Sequence, residues 1–281
     1  MLQFGESFDY NGKNSKDFNL RMVRIDNLDV SVGLTREISK GPTNFYKKRA
    51  NHYGTTYSDV LSFEIHLIKD ECGDEYSPFT KNDIRNINAW LTSPNVPKKL
   101  HVYNFETENQ EEYDYYGLFT DVAYDFIGGD GNNLPAAIKL TFTCDSPFGY
   151  VSKTQIVEAT TNTLVTIQVE NDEWEEYVFP LIKVETDNLE GATERTFSII
   201  NTSDNDRTFS IKISDKNTFW IDSQKKTIYD ELGLFDLSSL NVEDIGYFYL
   251  PRLLNGENNL IISGNCTLTF SWEECRKTGA I

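Results

Sequence analysis

The sequence predicts a mainly β protein of two domains, and three observations carry this prediction. Its 281 residues exceed what one small domain needs and fit two domains of ordinary size. Aromatic residues make up 13% of the chain, and aromatic side chains favour strands. Short segments in which apolar and polar residues alternate recur between polar turns, as in antiparallel strands with one buried face.

The charge of the chain restricts its partners. Acidic residues outnumber basic ones 44 to 26, for a net charge of −18. Such a surface argues against binding to the nucleic-acid backbone, which needs basic patches. The sequence has neither the roughly 18 consecutive apolar residues of a membrane span nor the basic and apolar regions of a signal peptide. We therefore expect a protein made in a cytoplasm, without specific nucleic-acid binding or membrane insertion.

The first part of the chain predicts a hairpin, a loop and several strands. Asn11-Gly12 between alternating segments indicates a tight hairpin turn. Residues 36–58 are interpreted as a long polar loop, whose basic triplet Lys47-Lys48-Arg49 is solvated or makes an intersubunit contact rather than binding an anion. The predicted strands are 60–69, with Leu61, Phe63, Ile65 and Leu67 on one face, 100–105, 113–126 and 137–143.

One helix is predicted, over residues 80–91. Thr80 and Asp83 form a start that resembles a capping box, and Ser93-Pro94 ends the helix. The apolar stripe includes Trp90, which is expected to anchor the core rather than to bind a ligand.

Cys144 to Gly149 is the predicted domain boundary, because turn residues follow a strand there and every later segment has a β pattern. We assign residues 1–148 to an N-terminal domain and residues 149–281 to a C-terminal β-sandwich. The string Arg-Thr-Phe-Ser-Ile occurs at 195–199 and 207–211 and predicts one hairpin rather than a repeat array. Other strands are predicted at 164–169, 178–185, 218–221 and 227–229.

The stretch from Tyr247 to Trp272 has the clearest strand pattern. Two apolar segments, 260–262 and 267–272, flank a Ser-Gly-Asn turn and predict a hairpin. Leu268, Phe270 and Trp272 alternate with polar residues, and we expect them to fill the core.

The sequence predicts no catalytic, cofactor or metal site. Its three histidines are far apart, and the motifs of hydrolases, zinc proteases and phosphate loops are missing. The acidic segment 172–176 would suit a glycosidase only if the fold placed two carboxylates across a sugar. Asp204 and Asp206 could start a calcium loop but do not continue the pattern. We therefore predict that the protein is not an enzyme.

A binding role has more specific candidates. Trp174 and Tyr177 lie in a polar, acidic segment and are the residues predicted to contact a glycan through exposed rings. Trp220 and Trp272 lie within alternating strands and are predicted to be core residues instead.

The four cysteines contain no CxxC pair. Cys266 and Cys275 are nine residues apart, so a disulfide between them stays open as an alternative to reduced, buried thiols. Reduced thiols are favoured because nothing else in the sequence indicates secretion.

Six short motifs follow one another in an order that resembles the distal tail protein (Dit) family of phages with long, non-contractile tails. They are Phe4 to Leu20, Ala89-Trp90-Leu91 with Lys98-Lys99-Leu100, Cys144-Asp145-Ser146-Pro147-Phe148, Val178-Phe179-Pro180-Leu181-Ile182, Phe219-Trp220-Ile221-Asp222, and Phe248 to Leu253 with Asn255-Gly256-Glu257-Asn258. The loop 36–58 and the acidic segment 106–115 have no clear counterpart.

This resemblance implies a non-enzymatic hub without cofactors. Six N-terminal domains would form a ring between the tail tube protein and a tip protein of the tail-associated lysin kind, and a galectin-like C-terminal β-sandwich would face outward. The protein would be assembled in the bacterial host cytoplasm and would lie at the tail tip of the virion. Its further partners would be a receptor-binding protein or a cell-wall glycan. The alternative function is a carbohydrate-binding module that attaches the particle to host glycans.

Overall fold

The computed structural model describes residues 5–26, 36–43, 50–57, 60–69, 78–104, 112–125, 135–186, 195–213, 218–231 and 249–277. In these ranges the fold is mainly β with one α-helix and antiparallel strand pairs, as predicted. The chain forms two compact units, Met1–Val151 with Arg276–Ile281, and Ser152–Cys275.

The first unit is built on a continuous series of antiparallel strands. Its strands are β1 (Gly5–Tyr10), β2 (Lys13–Asn14), β3 (Leu20–Asp26), β4 (Arg36–Thr43), β5 (Ala50–Tyr57), β6 (Ser62–Lys69), β7 (Lys98–Asn104), β8 (Asp114–Asp125) and β9 (Ala137–Cys144). Seven of them pair in the order β3-β6-β9-β8-β7-β1-β2. Asn11 and Gly12 join β1 to β2 with φ of 50° and 75°, which the predicted tight turn requires.

The interpretation of residues 36–58 as a long polar loop is wrong. Strands β4 and β5 pair there as an antiparallel ribbon. Register shifts on both sides of Lys40 break the alternation, so the sequence shows no period of two. Tyr57, at the base of the ribbon, packs edge-on against Phe148 with ring centroids 4.8 Å apart. The Lys47-Lys48-Arg49 triplet lies outside the described residues.

Helix α1 (Lys81–Thr92) confirms the predicted helix. The Thr80 hydroxyl accepts a hydrogen bond from the backbone N–H of Asp83 at 3.2 Å, and the Asp83 carboxylate accepts one from the Thr80 N–H at 2.9 Å. This reciprocal capping box satisfies two N–H groups that a helix start leaves without partners. Lys69 on β6 adds an ion pair to Asp83 at 3.3 Å.

Trp90 anchors the core of the first unit, as predicted. Its side chain is 4% exposed and stacks on Phe8 and Phe18, with ring centroids 5.5 and 4.3 Å apart. The indole Nε1–H donates to the backbone carbonyl of Tyr10 at 2.9 Å. The helix is therefore fixed to the N-terminal strand by both packing and a buried hydrogen bond.

The second unit is a two-layer β-sandwich. Its strands are β10 (Gly149–Ala159), which begins in the first unit, β11 (Thr163–Val169), β12 (Leu181–Thr186), β13 (Arg195–Asn201), β14 (Arg207–Ile213), β15 (Thr218–Asp222), β16 (Thr227–Asp230), β17 (Gly256–Ser263) and β18 (Cys266–Arg276). One layer has the order β16-β15-β12-β18-β10 and the other β11-β17-β13-β14. The repeated Arg-Thr-Phe-Ser-Ile segments form the predicted hairpin, β13 with β14.

The hairpin predicted within residues 247–272 is not formed. Strand β17 pairs with β11 and β13 in the four-stranded layer, whereas β18 pairs with β12 in the other layer. Leu268, Phe270 and Trp272 are buried, as expected. Between the strands the chain passes from one layer to the other at Gly264, whose φ of +124° favours glycine.

Cys266 and Cys275 are buried and are not joined by a disulfide, so the disulfide alternative is not realised. Both lie on β18, where they belong to the interior of the second unit. Cys144, in the first unit, is likewise buried and not part of a disulfide, and burial raises the pKa of its thiol to about 12. Cys72 lies outside the described residues.

Candidate functional site

The two residues predicted to contact a glycan lie between β11 and β12, on the surface of the second unit. Trp174 is 79% exposed and Tyr177 is 40% exposed. Asn171 holds this segment in place: its side-chain N–H donates to the Glu173 carbonyl at 3.0 Å, and its side-chain oxygen accepts from the Cys275 N–H at 2.8 Å. The exposed rings therefore project from a backbone that is tied to strand β18.

Arg252 gives Tyr177 a fixed partner. An isolated bridge between Val178 and Leu253 brings the two segments together. The Arg252 Cζ lies 3.5 Å from the centroid of the Tyr177 ring, a cation–π contact. Its Nε and Nη2 donate to the two carboxylate oxygens of Asp204 at 2.7 and 3.0 Å. This hydrogen bonding to Asp204, which is only 6% exposed, raises the pKa of Arg252.

A second arginine lies beside the same carboxylate. Arg207 Nε donates to the Leu250 carbonyl at 3.1 Å, and its Cζ lies 4.9 Å from the centroid of the Tyr249 ring. It approaches Asp204 at 4.0 Å, and burial together with the charge of Arg252 lowers its pKa. Two guanidinium groups thus share one carboxylate, and each faces a tyrosine. The arginine–tyrosine cluster consists of Tyr177, Asp204, Arg207, Tyr249 and Arg252.

This cluster combines exposed rings with hydrogen-bonding groups that are already oriented. Such a surface can stack on an apolar or sugar face without first ordering its side chains. Asp204 is occupied by Arg252, so it offers no open carboxylate to a cation. Within the described ranges, no three His, Cys, Asp or Glu side chains are grouped so as to hold a metal ion.

The sequence pattern indicated Trp174 and Tyr177 as candidates but gave no indication of Arg207, Arg252 and Tyr249, which lie beside Tyr177 in the structure. The polar, acidic sequence around Trp174 and Tyr177 was enough to predict that both rings are exposed. Arg252 and Asp204 are 48 residues apart, so no local pattern links them.

Replacing Arg252 with alanine should lower the free energy of unfolding by about 2 kcal/mol, because it leaves the Asp204 carboxylate buried without its bidentate partner. Urea unfolding of the purified chain measures this loss. Arg252→Lys should lower the free energy of unfolding by a smaller amount, since lysine keeps the positive charge but cannot form the bidentate pair. The double variant D204N/R252A should recover stability relative to R252A. Equal stability of R252A and the wild type would contradict the structural role of the pair.

The prediction of Trp220 as a core residue is wrong. Trp220 lies on the outer side of β15, stacked on Tyr229 with ring centroids 5.6 Å apart, and the Lys183 Nζ is 5.9 Å from its centroid. Its neighbours Phe219 and Ile221 are the buried apolar residues of this strand. The period of two was correct, but the wrong face was assigned to the core.

A polar cluster around His101 is the second candidate, on β7 of the first unit. His101 Nδ1 lies 2.7 Å from an Asp114 carboxylate oxygen, and Nε2 lies 3.2 Å from Glu112. Lys99 pairs with the other Asp114 oxygen at 2.5 Å. The hydrogen bond to Asp114 raises the pKa of His101, with smaller contributions from the charges of Asp114 and Glu112. The nearby hydroxyl of Tyr103 donates to Asp9 at 2.6 Å.

Stability should depend on pH through His101. Because the folded-state pKa is raised above its ordinary value of 6.5, the contribution of the charged ring is complete below about pH 6.5 and is lost as pH rises through the folded-state value. Urea unfolding of the wild type and of H101Q should therefore show a stability difference that shrinks as pH rises above 6.5. A constant difference from pH ~5.5 to ~9 would show that this titration is not coupled to folding.

Comparison with protein-family models matches residues 4–146 to the phage tail protein N-terminal domain. The match covers just over half of the chain, including α1 and the His101 cluster. The chain belongs to this family of phage tail proteins. A search of curated proteins finds no match.

Solved structures extend the fold similarity of this phage tail protein to the second unit. The Dit protein (gp 19.1) of phage SPP1, described as a paradigm of the hub adsorption apparatus of phages infecting Gram-positive bacteria, is 14% identical, with a TM-score of 0.57 over 95% of this chain and 98% of its own. Chains of the phage P2 baseplate in its activated conformation with Ca and with Sr are each 12% identical. Their TM-scores are 0.55 and 0.54, over 96% and 99% of this chain and 98% and 99% of their own.

The resemblance to distal tail proteins that the motifs suggested is confirmed by the family match and by these structures. The protein is a structural component of a phage tail, and thus of the virion. Among the described residues, no helix is long and apolar enough to cross a membrane.

Proposed function

We propose that this phage tail protein is the distal tail hub of a phage with a long, non-contractile tail. Six copies close a ring through the N-terminal domain, residues 1–148. The ring joins the tail tube protein to the tip protein and to the proteins that adsorb to the host. The supporting observation is that the similarity to SPP1 Dit spans 95% of the chain, so that it includes both the family region and the C-terminal sandwich.

We propose a ring because identical copies of one chain can assemble into a closed structure without any catalytic site. Identical subunits that meet head to tail close into rings when the rotation between them is a fraction of a full turn. The function is then carried by assembly, and the hub works without catalysis or a cofactor. The galectin-like domain, residues 149–281, faces outward and presents the exposed rings of Trp174 and Tyr177. Because the chain is acidic, we propose that the lumen of the ring is acidic too and does not hold exiting DNA.

Native mass spectrometry of the purified full chain, alone and mixed with its tail tube and tip proteins, tests the hub. The expected species has six times the 32.3 kDa mass of one chain and binds both partners at once. The tube and tip proteins mixed without the hub are the control and should not associate. A hub chain that stays monomeric in every mixture would contradict the proposal.

A second candidate function is glycan binding by the C-terminal domain, favoured by the 79% exposure of Trp174 and by the ring of Tyr177 in the same segment, which packs against Arg252. The full-length protein should bind host cell-wall glycans on an array, and W174A/Y177A should lose that binding. Y53A, which removes another exposed ring (68%) from the first unit, is the matched control. An array without any wild-type signal would rule out this function for the glycans printed on it.

A further inference from the structure

The arginine–tyrosine cluster of the second unit carries more positive charge than its buried carboxylate compensates. Arg207 and Arg252 both lie beside Asp204, whose side chain is 6% exposed. Both oxygens of that carboxylate already accept hydrogen bonds from Arg252, at 2.7 and 3.0 Å. Asp206, next to Arg207 in the sequence, is exposed, so solvent screens its charge. The cluster is therefore cationic within a chain that carries −18.

Arg207 has hydrogen-bond donors that its own chain does not use. Its Nε–H donates to the Leu250 carbonyl at 3.1 Å, and its closest approach to Asp204 is 4.0 Å. No described residue accepts a hydrogen bond from its two terminal nitrogens. The side chain is 24% exposed, so a ligand can reach it. Terminal guanidinium N–H groups of this kind bind a carboxylate or a phosphate through two parallel hydrogen bonds.

Hydrogen bonds hold the cluster in position before any ligand arrives. Asn201, which is 4% exposed, donates to the backbone carbonyl of Arg252 at 3.1 Å. Asp204 ends the single 3-10 turn that joins β13 to β14, and Arg207 begins β14. Burial and the charge of Arg252 lower the pKa of Arg207, so a bound anion would relieve repulsion between the two cations. A ligand therefore does not have to order these groups.

Two tyrosine rings border the guanidinium groups. Tyr177 is 40% exposed and Tyr249 is 51% exposed. The Cζ atoms of Arg252 and Arg207 lie 3.5 and 4.9 Å from the respective ring centroids. An inorganic anion would need the cations but not the rings, and a neutral sugar would need the rings but not the cations. A sugar that carries an acidic group uses both.

We propose that the arginine–tyrosine cluster binds an acidic glycan, a saccharide that carries a carboxylate or a phosphate group. This inference rests on the second candidate function, glycan binding by the C-terminal domain, and it names the class of glycan. Arg207 donates to the acidic group through its terminal N–H groups. Arg252, fixed by Asp204, adds positive charge, and the rings of Tyr177 and Tyr249 contact the sugar.

Pairs of saccharides that differ only in charge test the site. Hexagalacturonate carries carboxylates that its methyl ester lacks, and phosphorylated mannopentaose carries a phosphate that mannopentaose lacks. Isothermal titration calorimetry of the full-length protein in about 50 mM salt should show at least about tenfold tighter binding of an acidic saccharide than of its neutral counterpart. The pair that shows this preference identifies the acidic group. In about 500 mM salt the preference should shrink.

Variants of the cluster assign the preference to Arg207. Arg207→Gln removes the charge and the terminal donors but keeps the Asp204–Arg252 pair, so it should bring the acidic and neutral affinities close together. Arg207→Lys keeps the charge without the planar fork and should retain part of the preference. Tyr249→Ala should weaken binding of the acidic saccharide about tenfold, because a ring contact is lost.

Two control variants remove matched groups elsewhere. K226Q removes an exposed positive charge from the second unit, and Y53A removes an exposed ring from the first. Both should bind the acidic saccharide like the wild type. Circular dichroism and urea unfolding should show that all five variants are folded.

The other outcomes overturn different statements. Equal binding of acidic and neutral saccharides overturns the acidic glycan and leaves glycan binding standing. A preference that survives in R207Q, or that is lost in K226Q as well, overturns the role of the cluster. Binding of a penta-aspartate peptide but of neither acidic saccharide overturns the glycan in favour of an acidic protein partner. Failure to bind any saccharide, on the array or in solution, overturns glycan binding and this inference with it.

Discussion

Replacing Trp90 with alanine should lower the free energy of unfolding of the first unit by about 4 kcal/mol, within the range measured for deletion of a buried aromatic side chain. The side chain is 4% exposed and stacks on Phe8 and Phe18. Alanine would leave a cavity under helix α1 and would remove the indole hydrogen bond to the Tyr10 carbonyl. Urea unfolding followed by circular dichroism measures the loss.

Two further variants divide this effect. Trp90→Phe keeps an aromatic ring but removes the N–H donor, so it should cost less than alanine while leaving the Tyr10 carbonyl without its partner. Trp174→Ala removes a tryptophan that is 79% exposed and should change stability by no more than about 0.5 kcal/mol. If W90A unfolded at the same urea concentration as W174A, Trp90 would not be the anchor that its burial indicates.

Replacing Asn258 with alanine should destabilise the second unit by about 4 kcal/mol, because several buried polar groups lose a partner at once. Asn258 is fully buried at 0% exposure. Its side-chain oxygen accepts from the Leu254 N–H at 2.8 Å and from the Asn201 amide at 3.1 Å. Its N–H₂ group donates to the carbonyls of Leu254 at 2.8 Å and Gly256 at 3.2 Å. One amide thus closes the turn that leads into β17.

Urea unfolding of N258A and of its neighbour variant N259A tests this role. Asn259 is only partly buried and bonds to exposed side chains, among them Glu257, so its loss should cost less than about 1 kcal/mol. Asn258→Asp keeps the acceptor oxygens but loses the N–H donors, and it should fall between the two. Comparable losses in N258A and N259A would show that the buried network does not stabilise the turn.

The sequence was sufficient for elements with strong local signals. Residues 60–69 were assigned the correct buried face, since Leu61, Phe63, Ile65 and Leu67 are all buried. The capping residues placed the start of α1 correctly, because a helix end is satisfied by side chains within three residues of it. The acidic net charge and the order of the six motifs were evident from the sequence alone. The motifs led to the right family.

The candidate site was only half visible from the sequence. The polar surroundings of Trp174 indicated its exposure, which the structure confirms at 79%. Contact of Trp174 and Tyr177 with a glycan stays a prediction. The Val178–Leu253 bridge brings Arg252 to Tyr177, and it connects segments 75 residues apart. Such contacts depend on the path of the whole chain, so the local alternation of apolar and polar residues does not predict them.

The sequence by itself determined that the chain is mainly β, which face of the strand at residues 60–69 is buried, and where the helix begins. Only the tertiary structure decided which strands are neighbours where no short turn joins them, as one joins β1 to β2 and another joins β13 to β14. Strands β17 and β18, predicted as a hairpin, belong to opposite layers, and residues 36–43 and 50–57, predicted to lie in a loop, pair as strands. The reason is physical: alternation records which side of a strand is buried, whereas pairing is set by hydrogen bonds to strands that can be distant in sequence.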